Sequence, residues 1–225
     1  MKKIVLTILA VLILAFLAYW GSTMYQYADG IKKDAVRLRD FHFQQKIQNG
    51  DIIFQTSKSG QSKAIQLATN SKYSHMGIIY ENDGKYFVYE AIQPVKLTPL
   101  NEWIIRGENG HYVIKRLKNA DQILTDSVLK NMKQLGDHYR GKPYDIYFEW
   151  SDEKIYCSEL VWKIYKESTG IEIGNLQRLS DFDLTHKTVQ SKMKERYGEN
   201  IPMDEKVISP MAMFDSDKLE TIDEK

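Results

Sequence analysis

Four short runs rich in β-branched and aromatic residues crowd the first half of the chain: Ile52-Ile53-Phe54, Tyr73 to Tyr80, Tyr86 to Ala91 and His111 to Leu117. Asn82-Asp83-Gly84-Lys85 joins the second to the third as a hairpin, because Asp-Gly readily takes the positive φ values of a tight turn. Strands joined by hairpin-length connections pair antiparallel, whereas a parallel pair needs a long crossover. Pro94 and Pro99 break the stretch between the third and fourth runs. Helical spacing appears over Gln61 to Asn70, Asp121 to Tyr139, from Cys157 to Thr169-Gly170, and over Asp183 to Tyr197. Clustered strands flanked by helices predict an α+β fold, a mainly antiparallel sheet packed with helices, and not the regular alternation of a doubly wound sheet.

Lys2 and Lys3 precede an almost unbroken apolar run from Ile4 to Trp20, the layout of a signal peptide or an N-terminal membrane anchor over residues 1–24. No Ala-x-Ala pattern follows the run, which favours the anchor. Export is expected, to the periplasm or the outer face of the cytoplasmic membrane. Residues 25–48 carry scattered hydrophobes among charges and read as a helical linker. Asn49-Gly50-Asp51 is a turn that opens the main domain, 49–216, and 217–225 reads as an acidic tail. With 31 basic and 30 acidic residues the net charge is +1, so nothing points to a nucleic-acid partner.

Cys157 is the only cysteine, so no internal disulfide can form. It sits just ahead of a Gly- and Pro-free amphipathic run, at the start of a helix, where unsatisfied N–H groups and the positive end of the dipole favour a nucleophilic thiolate. The competing reading is a small core residue, since free cysteines are commonly buried. A thiol nucleophile needs a base, and His75 begins a strand otherwise too apolar for an idle imidazole, beside Gly77, which lets another group approach closely. His42 and His138 lie in charged helical surroundings, His111 opens a strand, and His186 sits in a polar helix. Glu90, on the strand paired with that of His75, is the first candidate to orient the base, with Asp145 and Glu149 as alternatives. Tyr144 lies a turn-rich stretch before Cys157 and can help hold an oxyanion. No metal-ligand spacing such as His-Glu-x-x-His occurs, and neither metal nor cofactor is expected.

Gly141-Lys142-Pro143-Tyr144 followed by Tyr156-Cys157-Ser158-Glu159-Leu160-Val161 resembles the signature of NlpC-type papain-like cysteine hydrolases. In the standard members the histidine strand follows the cysteine. Here Ser74-His75-Met76-Gly77-Ile78 precedes it, which is the order of the circularly permuted branch that includes lecithin retinol acyltransferase-like proteins. Gly50-Asp51-Ile52-Ile53-Phe54, Glu90-Ala91 and Trp150-Ser151-Asp152 are similar to the pattern of YiiX-like proteins within that branch.

The resemblance implies a permuted papain-like domain with Cys157 as nucleophile, His75 as base and Glu90 as the polar third member. It places Tyr144 at the oxyanion site, with Tyr156 and Ser158 beside the nucleophile as further oxyanion or substrate contacts. Where the standard motif reads Asp-Cys-Ser-Gly, this chain has Tyr156-Cys157-Ser158-Glu159. Since that region borders the substrate cleft in murein peptidases, Tyr156 and Glu159 argue against carrying over peptidoglycan specificity. The implied activity is hydrolysis of an amide or ester bond. Cell-wall peptides and lipid acyl groups, through a hydrolase or an acyltransferase, are the two substrate pools. A non-catalytic binding module with a papain-like cleft is the competing class; Cys157, His75 and Glu90 standing together argue against it. A structural, membrane-tethered partner protein finds support only in the apolar run. The expected partners are the substrate and, through the N-terminal segment, the membrane.

Overall fold

Short runs of β-branched and aromatic residues, with turn residues between them, build the strands β1 (Ile52–Gln55), β2 (His75–Asn82), β3 (Lys85–Glu90), β4 (Lys96–Pro99) and β5 (Val113–Leu117), followed by β6 (Gln177–Arg178), β7 (Lys206–Val207) and β8 (Leu219–Glu224). The main sheet runs β4-β3-β2-β1-β5-β8, with every neighbouring pair antiparallel. β6 and β7 form a separate two-stranded ribbon. The structure is a computed structural model that describes residues 13–31 and 46–225. Residues 46–225 form one unit, and residues 13–31 are a helix in another. Among the described residues no helix is long and apolar enough to cross a membrane. The beginning of the Ile4 to Trp20 run and most of the expected linker, residues 32–45, lie outside the described residues.

The helices of the main unit are α1 (Gly60–Thr69), α2 (Leu100–Arg106), α3 (Ala120–Ile123), α4 (Asp126–Tyr139), α5 (Cys157–Thr169), α6 (Lys187–Tyr197) and α7 (Pro210–Phe214). α5 packs on β2 and α4 and is buried continuously from Cys157 to Tyr165. Leu160, Val161 and Ile164 are fully removed from solvent, which stabilises the domain by about 1.5–3 kcal/mol each. The Tyr165 hydroxyl donates to the Gly50 carbonyl, tying the helix to the turn before β1. Gly170 ends α5 at φ +75°, a left-handed conformation that costs a residue without a Cβ little. The helix carrying Cys157 is therefore the central support of the sheet, and its first turn is fixed from behind.

The hairpin between β2 and β3 aligns the two strands that matter for the site. Asp83 and Gly84 both have positive φ in its turn, and Ile78 registers with Tyr89. At Gly77 a Cβ would collide with the Tyr89 carbonyl oxygen and with Val88 Cγ1, so the approach of the two strands there depends on glycine. Gly77→Ala is expected to destabilise the domain by about 1–3 kcal/mol through strand displacement. Because β2 carries His75 and β3 carries Glu90, activity should fall further than stability explains. Urea unfolding alongside kinetics on the folded fraction measures both.

Three expectations are corrected. The stretch after Pro94, read as broken by Pro94 and Pro99, holds β4 and α2: β4 is an edge strand, where proline costs no ladder bond, and Pro99 leads into α2. The single helix expected over Asp121 to Tyr139 is two, because Thr125 caps a new helix by accepting from the Val128 N–H. The acidic tail, 217–225, carries β8, the edge strand beside β5. Leu219 and Asp223 are buried there, and the Asp223 carboxylate accepts from Lys46 Nζ at 2.9 Å.

Candidate active site

Cys157 is the first residue of α5, preceded by Tyr156 in an extended conformation. The Tyr156 N–H donates to Glu159 Oε2 at 3.4 Å, which closes the first turn. Two side chains lock that turn to the backbone of one residue, Ile208. The Tyr156 hydroxyl accepts from the Ile208 N–H at 3.0 Å, and the Ser158 hydroxyl donates to the Ile208 carbonyl at 2.7 Å. Ile208 and its neighbours Val207, Ser209 and Pro210 form one wall of an open cavity that Cys157 also lines. The nucleophile candidate is only 3% exposed, and the cavity is its approach.

His75 opens β2 with its imidazole hydrogen-bonded to Glu90 on one side and beside Cys157 on the other. The Glu90 contact is Nε2 to Oε2 at 2.6 Å, leaving Nδ1 as the nitrogen for the thiol. Trp103 from α2 stacks on the ring, with centroids 5.9 Å apart at 24°. Glu90, the last residue of β3, is wholly buried. Thr98 donates to its Oε1, and Arg106 at the end of α2 donates to its Oε2. Burial alone would raise the Glu90 pKa, but His75 and Arg106 outweigh it and hold the carboxyl down to about 2. Burial likewise opposes charge on His75, but the hydrogen bonds and charges of Cys157 and Glu90 overcome it and lift the imidazole to about 9. At neutral pH the ring therefore stores a proton next to the sulfur, which suits a group that must later protonate a departing amine or alcohol.

Tyr144 lines the cavity with Cys157, and its hydroxyl accepts from Gln61 Nε2 at 3.1 Å. Burial and the neighbouring Cys157 hold the phenol well above its ordinary pKa, so it remains a neutral O–H. With the oxygen accepting from Gln61, the proton can point into the cavity. Gln61 is held by α1, which Ser59 caps, and α1 is pinned to the residue before His75 by the Ser62–Ser74 hydroxyl pair at 2.6 Å.

Cys157, His75 and Glu90 are thus brought together, and Tyr144 shares the cavity wall with the thiol. Tyr156 and Ser158 also line the cavity, but their hydroxyls engage the Ile208 backbone. The expectation that Glu159 borders the cleft is corrected. Two residues along a helix turn a side chain by about 200°, and Glu159 points away, wholly buried, to Lys163 Nζ at 2.8 Å. Burial outweighs that lysine and pushes its carboxyl up to about 8. Of the alternatives to Glu90, Asp145 is buried and accepts from the Tyr147 N–H, and Glu149 is exposed. His111 stacks near Tyr73, His138 bonds Lys142, and His186 caps α6 through Nδ1. His42 lies outside the described residues.

Arg106, Thr98, Trp103 and Gln61 were not anticipated. The first three fall in the stretch obscured by its prolines. Val88↔Thr98 pairing across β3 and β4 puts Thr98 beside Glu90, a signal that needs the register of an unrecognised strand.

Residues 46–223 match the family described as "Permuted papain-like amidase enzyme, YaeF/YiiX, C92 family". The chain is 50% identical over 175 residues to "Uncharacterized protein YiiX" of Escherichia coli (strain K12), which spans 78% of this chain and 85% of that protein. It is also similar to the crystal structure of "metalloprotein yiiX" from Escherichia coli O157:H7, with a TM-score of 0.76 and 49% identity over 80% of this chain and 98% of that one. Among the described residues of this chain no group of three or more His, Cys, Asp or Glu side chains is arranged to hold a metal ion. Cys157 and His75 supply two donors, while the Glu90 oxygens already accept from His75, Thr98 and Arg106. This donor set does not fit a metal, and no step is derived through one.

Proposed function

The chain belongs to the permuted papain-like amidase family, and from that premise we propose that Cys157, His75 and Glu90 hydrolyse the amide or ester bond of a substrate with an apolar acyl group. Sγ of Cys157 attacks the carbonyl carbon, and the carbonyl oxygen gathers negative charge. The Tyr144 O–H and the first N–H groups of α5 meet that charge. His75 gives its proton to the leaving nitrogen or oxygen as the C–N or C–O bond breaks, and a thioester remains on Cys157. Now neutral, the imidazole takes a proton from water, whose oxygen attacks the thioester. The carboxylic acid leaves and the thiolate–imidazolium pair is restored. Glu90 keeps the ring oriented and stabilises its charged form throughout. The observation that carries the reading is the 2.6 Å His75–Glu90 bond behind an imidazole that faces a thiol at a helix N-terminus.

Of the two substrate pools, the cavity favours apolar acyl groups over cell-wall peptides. Ala64, Ile65, Leu179, Leu184, Val189 and Met193 line it next to Cys157, whereas a stem peptide would bring a run of backbone amides that those walls cannot pair. With a series of acyl amides from acetyl to decanoyl, kcat/KM is expected to rise with chain length. Each methylene that enters the cavity contributes about 0.8 kcal/mol, or nearly fourfold. A flat series, with faster turnover of murein fragments, would overturn the acyl reading and favour the wall.

A further inference from the structure

The otherwise apolar cavity carries two cations on one edge. Lys192 and Arg196 are a turn apart on α6 and both line it, while Val189 and Met193, also a turn apart, form the adjacent buried stripe. Among the described residues no acidic side chain lines the cavity. Lys192 is held on its own helix by Glu195 at 2.6 Å, an exposed pair that a ligand can displace at little cost. Arg196 differs. It is half-buried, with its guanidinium carbon 5.0 Å from the Phe148 ring centroid, and makes no hydrogen bond or ion pair to another described residue. Its charge also lowers the Tyr144 pKa, so it acts at the hydroxyl that flanks the thiol. A guanidinium fork on an apolar wall, unpaired and beside the reacting centre, is suited to an anion that arrives with the substrate.

We infer that the substrate is an N-acyl amino acid, whose acyl chain lies along the Val189–Met193 stripe and whose carboxylate is bound by Arg196 with Lys192 in support. This rests on the acyl-hydrolase reading above and names its leaving group. In such an amide the carboxylate sits two bonds from the scissile nitrogen, so an anion-binding group must lie in the cavity that Tyr144 and Cys157 line, as Arg196 does. A phosphate on a longer glycerol headgroup would be carried farther from the scissile bond.

Binding to the Cys157→Ser protein tests the inference without turnover. By calorimetry at pH 7, N-dodecanoylglycine is expected to bind at least tenfold more tightly than N-dodecanoylglycinamide. Adding Arg196→Met should bring the two affinities to within about threefold, and Arg196→Lys should keep part of the preference, because one ammonium replaces a two-pronged contact. Lys192→Met, at the position already paired with Glu195, should reduce the preference by a smaller factor; it also provides a second reading if Arg196→Met melts early. Equal affinities in the Cys157→Ser protein, binding of neither ligand, tighter binding of dodecyl phosphate, or a preference that survives both substitutions would overturn the inference. If the binding preference holds but wild type cleaves neither amide, the hydrolase reading falls and the anion site stands.

Discussion

Cys157→Ser is expected to lower kcat/KM for an acyl amide by at least ~10³-fold while leaving the fold intact. The site is built for a sulfur nucleophile: a buried imidazole lifted to about 9 keeps its proton at neutral pH beside the sulfur. A serine hydroxyl cannot ionise beside that imidazolium, and the general base needed to activate it is already protonated. Serine adds one hydrogen-bonding group at a position whose neighbours include the polar His75, so its effect on stability should stay within about 1 kcal/mol. Steady-state kinetics with thermal melting separates the two quantities. Activity within tenfold of wild type would mean that the sulfur does not carry the chemistry.

The second large effect is expected from Glu90→Gln, which keeps the shape of the side chain and removes its charge. Glu90 is one of the two groups that hold the His75 pKa up, against burial, which lowers it. Without the carboxylate the alkaline limb of kcat/KM, placed near pH 9 by His75 in the wild type, should move down by about 1–3 units. At neutral pH the ring then loses its stored proton, the leaving group departs unprotonated, and kcat falls by about 10²-fold or more.

Stability should change in a pH-dependent way as well. Glu90 is depressed from 4.5 to about 2, so its contribution is present above pH 4.5 and lost as pH falls toward 2. His75 is raised from 6.5 to about 9, so its contribution is full below pH 6.5 and lost as pH rises toward 9. The melting difference between wild type and Glu90→Gln should therefore be widest between about pH 4.5 and 6.5. A pH-rate profile with unmoved limbs would contradict the role given to Glu90.

How much of this was legible from sequence follows from the kind of signal each residue gives. Cys157 announced itself through local context, a helix start, and α5 begins at that residue. His75 and Glu90 could be paired because the Asp83-Gly84 turn fixes which strands are neighbours, and the observed register places them at adjoining ends of β2 and β3. Arg106 and Thr98 gave no such signal, since both depend on β4, a short edge strand bracketed by prolines. β8 was hidden by its charges: as an edge strand it buries Leu219 and Asp223 but exposes Glu220, Thr221 and Glu224, so it looks like a solvated tail. Glu159 was misjudged because proximity in sequence was read as proximity to the cleft, whereas helical rotation turns it toward Lys163. The cavity itself was beyond reach, because α1, α6 and the 207–210 segment meet there from distant parts of the chain.

The central claim is that His75 makes Cys157 reactive, and it can be tested without knowing the substrate. Iodoacetamide alkylation at pH 7, followed by mass spectrometry of the intact protein, reports the reactivity of the one thiol. The pairing predicts modification of wild type that slows at least ~10²-fold in a folded His75→Ala protein, because only the thiolate is the nucleophile. Equal rates in the two proteins would contradict the account.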